Sequence, residues 1–374
     1  MSNYDKCPEI KIKGFDKHAW EGYEQICDII KKKIKGKNKS VIVIDLYPGV
    51  NDKEILDAFN ALQPTLVIKS DECAYDGETI THMIKDYLTD DRIFGSLTTK
   101  RLEDYFIQEK IIEARNKILS ADNGICLVYG VGASLITKGD IFIYADLARQ
   151  EILTRYKKGM PNWKQKNYSE DYQRKYKRGY FVEWRLADKH KKYLYEDIDF
   201  LLDTNRENHP KMVTGEAFRK GLRYAAKNPL RLVPTFNPGV WGGQWLKEVC
   251  DLDRDAENYA WCFDCIPEEN SIYLRYGDVK LEVPSVNIIF YSSVDFLGNR
   301  VYGRFGHEFP IRFNILDTMD GQNLSLQVHP LTEYIQENFG IHYTQDESYY
   351  ILDSKEDAVV YLGLKEGVKK EDVL

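Results

Sequence analysis

The run VIVIDL at 41–46 is apolar at five of six positions and β-branched at four. Such a run has no polar face to offer water, so it suits a strand covered on both sides in a parallel sheet. It enters a turn at Tyr47-Pro48-Gly49 and then a helical pattern from Asn51 to Leu62. PTLVIKSD at 64–71 and GICLVYG at 124–130 are further short apolar runs, separated by helical stretches rich in Glu, Lys and Ile. Strands alternating with helices imply an α/β sheet. An amphipathic helix is expected over 16–38, and a helical, basic, tyrosine-rich segment over about 140–200. LLDTNRENHP at 201–210 reads as a loop before one more helix.

From about 231 the pattern changes to short β runs punctuated by Gly and Pro: LVPTF, YAWCFDCI, SIYLRYG, VKLEVP, VNIIFY, IRFNIL, LSLQVHP, SYYILD and AVVYLGL. Many short strands at close spacing predict an all-β sandwich or barrel. A length of 374 residues is enough for two cores. The boundary is placed near Asn228-Pro229, giving an α/β domain over 1–228 and an all-β domain over 229–374.

The formal net charge of -7 argues against a general nucleic-acid binder, which needs a basic surface. Seven cysteines, at 7, 27, 73, 126, 250, 262 and 265, lack the dense, even spacing of a secreted disulfide scaffold. The N-terminal residues contain no apolar signal region, and no stretch is long and uncharged enough to span a bilayer. The expected partner is a small molecule, with no nucleic acid and no membrane, in the cytoplasm.

Leu324 to Pro330, LSLQVHP, carries the most chemical information. Residues two apart on a strand share a face, so Gln327 and His329 are expected to aim together. A strand over Asp346–Leu352 would bring Glu347 to the same interior. An amide oxygen, an imidazole and a carboxylate are compatible with Zn²⁺, and three protein ligands leave the open position that catalytic zinc needs. On spacing alone, a hydrogen-bonded trio lining a polar barrel interior is the commoner reading.

The runs GHEFPIRFNILDTMDGQNLSLQVHP, YTQDESYYILD and VVYLGLKEGV, preceded by PTFNPGVWGGQWL at 234–246, resemble the type I mannose-6-phosphate isomerases in several ordered motifs over about 231–374. The resemblance implies a cupin (jelly-roll) barrel, incomplete at its C-terminal end, and a zinc site made by Gln327, His329 and Glu347. It also implies interconversion of mannose 6-phosphate and fructose 6-phosphate through an enediolate. Trp241, in the Trp-Gly-Gly motif, is placed at the pocket rim, with Arg312 and Lys365 as candidate substrate-binding cations. The family's fourth ligand, a His, and its catalytic Arg lie on a later strand, expected beyond Leu374. The family often has Lys where this sequence has Gln345 and Asn314, which puts phosphate binding or proton transfer in doubt. The catalytic base is left unassigned. The alternative reading is a non-catalytic sugar-phosphate-binding or regulatory cupin.

In element order, VIVIDLYPGVNDKEILDAF and the later GICLVYGVGASL resemble nucleoside-kinase-like P-loop domains. The sequence has no G-x-x-x-x-G-K-[ST], so the phosphate cradle and its Lys are missing and nucleotide binding is not expected. From Arg155 to Lys192 there are 13 Lys or Arg against 4 Asp or Glu, interleaved with aromatic residues. A solvated helical face with aromatics packed inward is the favoured reading. The single Cys262-x-x-Cys265 lacks a second pair for a metal. His18, His82, His190, His209, His307 and His342 have no partner at ligand spacing and are read as surface or satisfied buried residues.

Overall fold

Residues 42–46 are all buried, Asp45 included, and lie in an inner strand of a seven-stranded sheet. The computed structural model describes residues 2–373, apart from the Lys370 side chain. Two short strands, β1 (Glu9–Lys11) and β2 (Ala19–Glu21), precede helix α1 (Tyr23–Ile34) and strand β3 (Lys39–Leu46). Next come α2 (Asp52–Phe59), β4 (Leu66–Lys69), α3 (Gly77–Leu88), α4 (Gln108–Ser120), β5 (Gly124–Gly130) and β6 (Ile141–Asp146). Helices α5 (Arg149–Lys157), α6 (Tyr172–Arg178) and α7 (Trp184–Lys191) then lead to β7 (Phe200–Asp203), β8 (Lys211–Thr214) and α8 (Gly215–Lys227).

The sheet order is β2-β8-β7-β6-β3-β5-β4. Strands β4, β5, β3, β6 and β7 run parallel, and β8 and β2 close the far edge antiparallel. The parallel-containing α/β sheet expected from the sequence is therefore present. The chain moves outward from β3 to β4, returns through β5, and crosses β3 to reach β6. That reversal makes a topological switch point beside β3, the place where open α/β sheets take ligands. Asn51, Asp76 and Thr214 cap α2, α3 and α8 by accepting backbone N–H bonds at 3.2, 2.8 and 3.3 Å. Each such cap is worth about 1 kcal/mol.

Two strands fall where the sequence suggested otherwise. IFIYAD at 141–146 is buried at every residue, yet it adjoins the basic, aromatic segment whose composition suggested helix. Phe200–Asp203 pairs with both β6 and β8 where a loop was expected. The helix expected over 16–38 is confined to Tyr23–Ile34, with β2 before it.

Beyond 228 the elements are β9 (Thr235–Asn237), α9 (Trp245–Val249), β10 (Trp261–Cys265), β11 (Ser271–Tyr276), β12 (Val279–Pro284), α10 (Val286–Phe305), β13 (Phe313–Leu316) and α11 (Thr332–Phe339). They form two three-stranded sheets, β1-β11-β12 and β13-β10-β9. The β11–β12 hairpin turns at Gly277, whose φ of 58° suits glycine. Its Ile272, Leu274, Tyr276, Leu281 and Val283 belong to the same buried cluster as Ile42–Ile44. A line drawn at 229 thus does not separate this hairpin from the first core. A smaller cluster of Leu246, Cys250 and Cys262 sits under the β13-β10-β9 sheet.

Of the expected β runs, VNIIFY instead opens α10, which lies along α8. A six-residue apolar run does not by itself distinguish a buried strand from a buried helix face, and here the surface to be covered belongs to a helix. LSLQVHP, SYYILD and AVVYLGL carry no strand among the described residues. Their apolar side chains stand exposed, Val328 at 82% and Leu362 at 96%. A strand needs a hydrogen-bonded neighbour, and these runs have none here. No described helix is long and apolar enough to cross a membrane.

Candidate functional site

The sequence-predicted ligands His329 and Glu347 meet, although neither lies on a regular strand. His329 Nε2 is 2.7 Å from Glu347 Oε2, and both side chains are about one-third exposed. His329 Nδ1 lies 3.0 Å from the carbonyl oxygen of Gln345. A carbonyl only accepts, so Nδ1 donates to it, while Nε2 faces the Glu347 carboxylate, itself an acceptor. The other carboxylate oxygen of Glu347 accepts a bond from Tyr349 Oη at 2.8 Å. Burial, then this bond to the carboxylate, pushes the Tyr349 phenol up to about 12, which keeps it a donor near neutral pH.

Both groups are therefore oriented from behind in the way metal-ligating side chains usually are. An imidazole nitrogen and a carboxylate oxygen form a donor pair that fits zinc. Two ligands at zinc bonding distance sit about 3.3 Å apart on a tetrahedron, so the pair would have to open only slightly. Gln327 is exposed and makes no hydrogen bond with either partner among the described residues. No group of three His, Cys, Asp or Glu that could hold a metal converges among the described residues.

The other candidates lie elsewhere in the same half. Trp241 is 2% exposed and packs edge-on against Trp261, with ring centroids 4.6 Å apart. The two glycines after it leave room for neighbouring polar groups. A Cβ on Gly242 would fall 2.1 Å from Asn258 Oδ1, and one on Gly243 would fall 2.2 Å from Asp317 Oδ1. Arg312 pairs with Glu268 at 3.1 Å, and Lys365 is exposed. No described contact joins Trp241, Arg312 or Lys365 to the His329–Glu347 pair. Cys262 and Cys265 hold unpaired thiols, with Cys262 Sγ 3.3 Å from Tyr4 Oη.

A second polar cluster, not singled out from the sequence, occupies the carboxyl ends of β3 and β6. Asp45 accepts the backbone N–H groups of Gly132 and Ser134 at 2.9 and 3.0 Å. Ser134 Oγ contacts Asp45 and stands 2.8 Å from His190 Nε2, itself 3.4 Å from Asp45 Oδ2. Burial lowers the His190 pKa, but the hydrogen bond and charge of Asp45 outweigh it and leave it raised. Beside them Lys191 pairs with Asp146, whose Oδ2 also accepts from Asn287 Nδ2 at 3.1 Å. Asp188 takes Tyr47 Oη and Arg149 Nη2, each at 2.8 Å.

The turn after β3 is closed by Val50 N–H donating to the Tyr47 carbonyl at 3.0 Å and by Arg155 Nη1 donating to that of Gly49 at 2.9 Å. A Cβ on Gly49 would come within 3.0 Å of Ile152. The side chains of Arg155 and Ile152 thus pack against this turn. The partners in this cluster are tens of residues apart in the chain and have no motif spacing. The one available signal was an Asp at or next to the end of each of two apolar strands.

Two similarities to known proteins bear on these sites. Residues 22–227, more than half of the chain, match the family model described as a domain of unknown function (DUF8485). Over 142 residues the chain is 24% identical to the "Putative mannose-6-phosphate isomerase YvyI" of Bacillus subtilis (strain 168). That stretch covers 37% of this chain and 41% of the Bacillus protein, so the chain spans about two fifths of the length of this curated relative.

Proposed function

The chain belongs to the DUF8485 family, and we propose that the segment following that domain carries part of a zinc-dependent aldose–ketose isomerase site for mannose 6-phosphate and fructose 6-phosphate. The observation that carries this reading is the 2.7 Å approach of His329 Nε2 to Glu347 Oε2, with Gln345 and Tyr349 orienting the two groups. The isomerase-named relative supports it, matching over a length close to that of the motif-bearing segment. His329 and Glu347 would hold the metal, with Gln327 as third donor. In this reading the segment is related to the cupin barrels, although LSLQVHP, SYYILD and AVVYLGL are not paired as strands among the described residues.

Isomerisation removes a proton from the carbon next to a carbonyl and returns it to the neighbouring carbon. Bound zinc would supply charge stabilisation at the two substrate oxygens. Glu347 is committed to His329, Tyr349 and the metal, so it is not assigned as the base. The α/β domain is proposed as a kinase-like scaffold in which the Tyr47–Gly49 turn is packed rather than open to phosphates. The free thiols suit a reducing cytoplasm.

One observation favours a second reading, a sugar-phosphate-binding protein without catalysis. Gln345 and Asn314 stand where the isomerases often have Lys, and the Gln345 carbonyl serves His329. Turnover decides between them. The zinc-loaded chain is expected to convert mannose 6-phosphate, and His329→Ala is expected to lower kcat by at least about a hundredfold. Turnover equal in wild type and variant would sink the assignment of His329. Binding of sugar phosphate with no turnover would favour the second reading.

A further inference from the structure

A cavity of about 420 Å³ is lined by Arg304, Phe305, Glu308, Thr332, His342 and Tyr343. That volume falls within the range of small-molecule sites. Two chain segments connect it to the metal pair. Thr332 is three residues beyond His329, a reach of at most about 11 Å. Tyr343 precedes Thr344, whose Oγ1 donates to the Pro330 carbonyl at 2.6 Å. That bond holds the segment carrying His329 beside the one carrying Glu347, with the cavity at their shared end.

The lining has two chemical characters. Phe305 and Tyr343 meet edge to face with ring centroids 5.0 Å apart, an apolar platform of the kind on which the C–H face of a sugar can rest. Around it stand a hydroxyl on Thr332, the phenol of Tyr343, the amide of Gln336 and the His342–Glu308 pair at 3.3 Å. Gln336 Nε2 already donates to the His342 carbonyl at 2.8 Å, which leaves its oxygen as an acceptor.

Arg304 is the cation of the cavity. It is exposed, its guanidinium lies 5.1 Å from the Phe305 ring, and it has no carboxylate partner among the described residues. The Glu308 carboxylate is held by His342, so the free fork of Arg304 is the group available to an anion. Polar groups that donate and accept, an aromatic platform and one unpaired guanidinium together match a polyhydroxylated phosphate ester better than an apolar ligand or a bare sugar.

We propose that this cavity holds the hydroxylated, phosphate-bearing end of the sugar phosphate, with Arg304 on the phosphate. The assignment rests on the isomerase reading for the identity of the substrate, while the cavity and its residues stand apart from the metal pair. The test is calorimetry on the full chain in metal-free buffer with chelator, titrating mannose 6-phosphate, mannose and inorganic phosphate into wild type, Arg304→Glu and His329→Ala.

Mannose 6-phosphate is expected to bind wild type and His329→Ala alike, and more tightly than mannose or phosphate alone. Arg304→Glu is expected to weaken that binding by about tenfold or more. No binding by wild type, equal binding by Arg304→Glu, or inorganic phosphate binding as tightly as the sugar phosphate would overturn the assignment. Zinc titration of the same proteins reports on the metal separately. Arg304-dependent sugar-phosphate binding in a chain that takes no zinc would leave the cavity standing and sink the metal reading. Zinc uptake with no effect of Arg304→Glu would do the reverse.

Discussion

Replacing Lys191 by Met is expected to lower the unfolding free energy by about 3–5 kcal/mol at pH 7. Lys191 is 1% exposed, and its ammonium pairs with Asp146, which is equally buried. It also sits over the Tyr47 and Tyr144 rings, at 5.5 and 5.1 Å from their centroids. Burial drags the Lys191 pKa down against the pull of Asp146, so the pair is held together in a poorly solvated place. Asp146 Oδ1 already has no hydrogen-bond partner, and Asn287 would be left as the main support for its charge. Breaking one side of such a pair strands a buried charge, whereas removing both sides does not. Urea unfolding should therefore show most of the loss recovered in the double variant Lys191→Met with Asp146→Asn. A single-variant loss below about 1 kcal/mol would mean that water reaches the pair and that the crevice is less closed than described.

Glu282→Gln is expected to act in the opposite direction. Burial beneath the β11–β12 hairpin raises the Glu282 carboxyl to about 7. The Ser271 hydroxyl opposes this through a hydrogen bond at 2.5 Å, and Asp203, also raised by burial, adds to it. In the unfolded chain the carboxyl ionises near its ordinary value of about 4.3. Below that pH both states are protonated, and the contribution of the neutral group is fully present. As pH rises through about 7 the folded protein must ionise a carboxylate it solvates badly, and that contribution is lost. A neutral Gln avoids the loss. Because the side chain keeps some solvent contact, the expected gain at pH 8 is about 2 kcal/mol rather than the full equivalent of the shift. At pH 4 the two proteins should differ by less than about 0.5 kcal/mol. Unfolding midpoints at the two pH values check this, and an equal effect at both would assign the change to packing.

These residues also show how far the sequence could be read. VIVIDL and GICLVYG announced their places because a strand covered on both faces leaves an unbroken apolar run. IFIYAD has the same character but was overshadowed by the Lys- and Tyr-rich helices behind it. That composition turned out to be structural, since Lys175, Lys177, Arg178 and Lys191 are buried, not solvated. His329 and Glu347 were legible through local motifs, Gln-x-His-Pro and a Glu preceding Ser-Tyr-Tyr. The partners that orient them, a backbone carbonyl and a tyrosine, leave no such mark except the nearness of Tyr349. Asp45, Ser134 and His190 come together only because β3 and β5 are neighbours and α7 returns over the sheet. Such pairings depend on topology, which residue spacing does not encode. The same limit explains LSLQVHP and SYYILD. Alternation gives a segment the capacity for a strand, but a strand forms only where another edge receives it.

The most direct test of the isomerase site is zinc binding by the purified chain in competition with a chromophoric chelator, at neutral pH, in wild type, His329→Ala, Glu347→Gln and Cys262→Ser. One zinc per chain is expected, with affinity reduced by at least about a hundredfold in His329→Ala and Glu347→Gln and unchanged in Cys262→Ser. A chain that takes up no zinc, or one whose zinc follows Cys262 instead of His329, would contradict it.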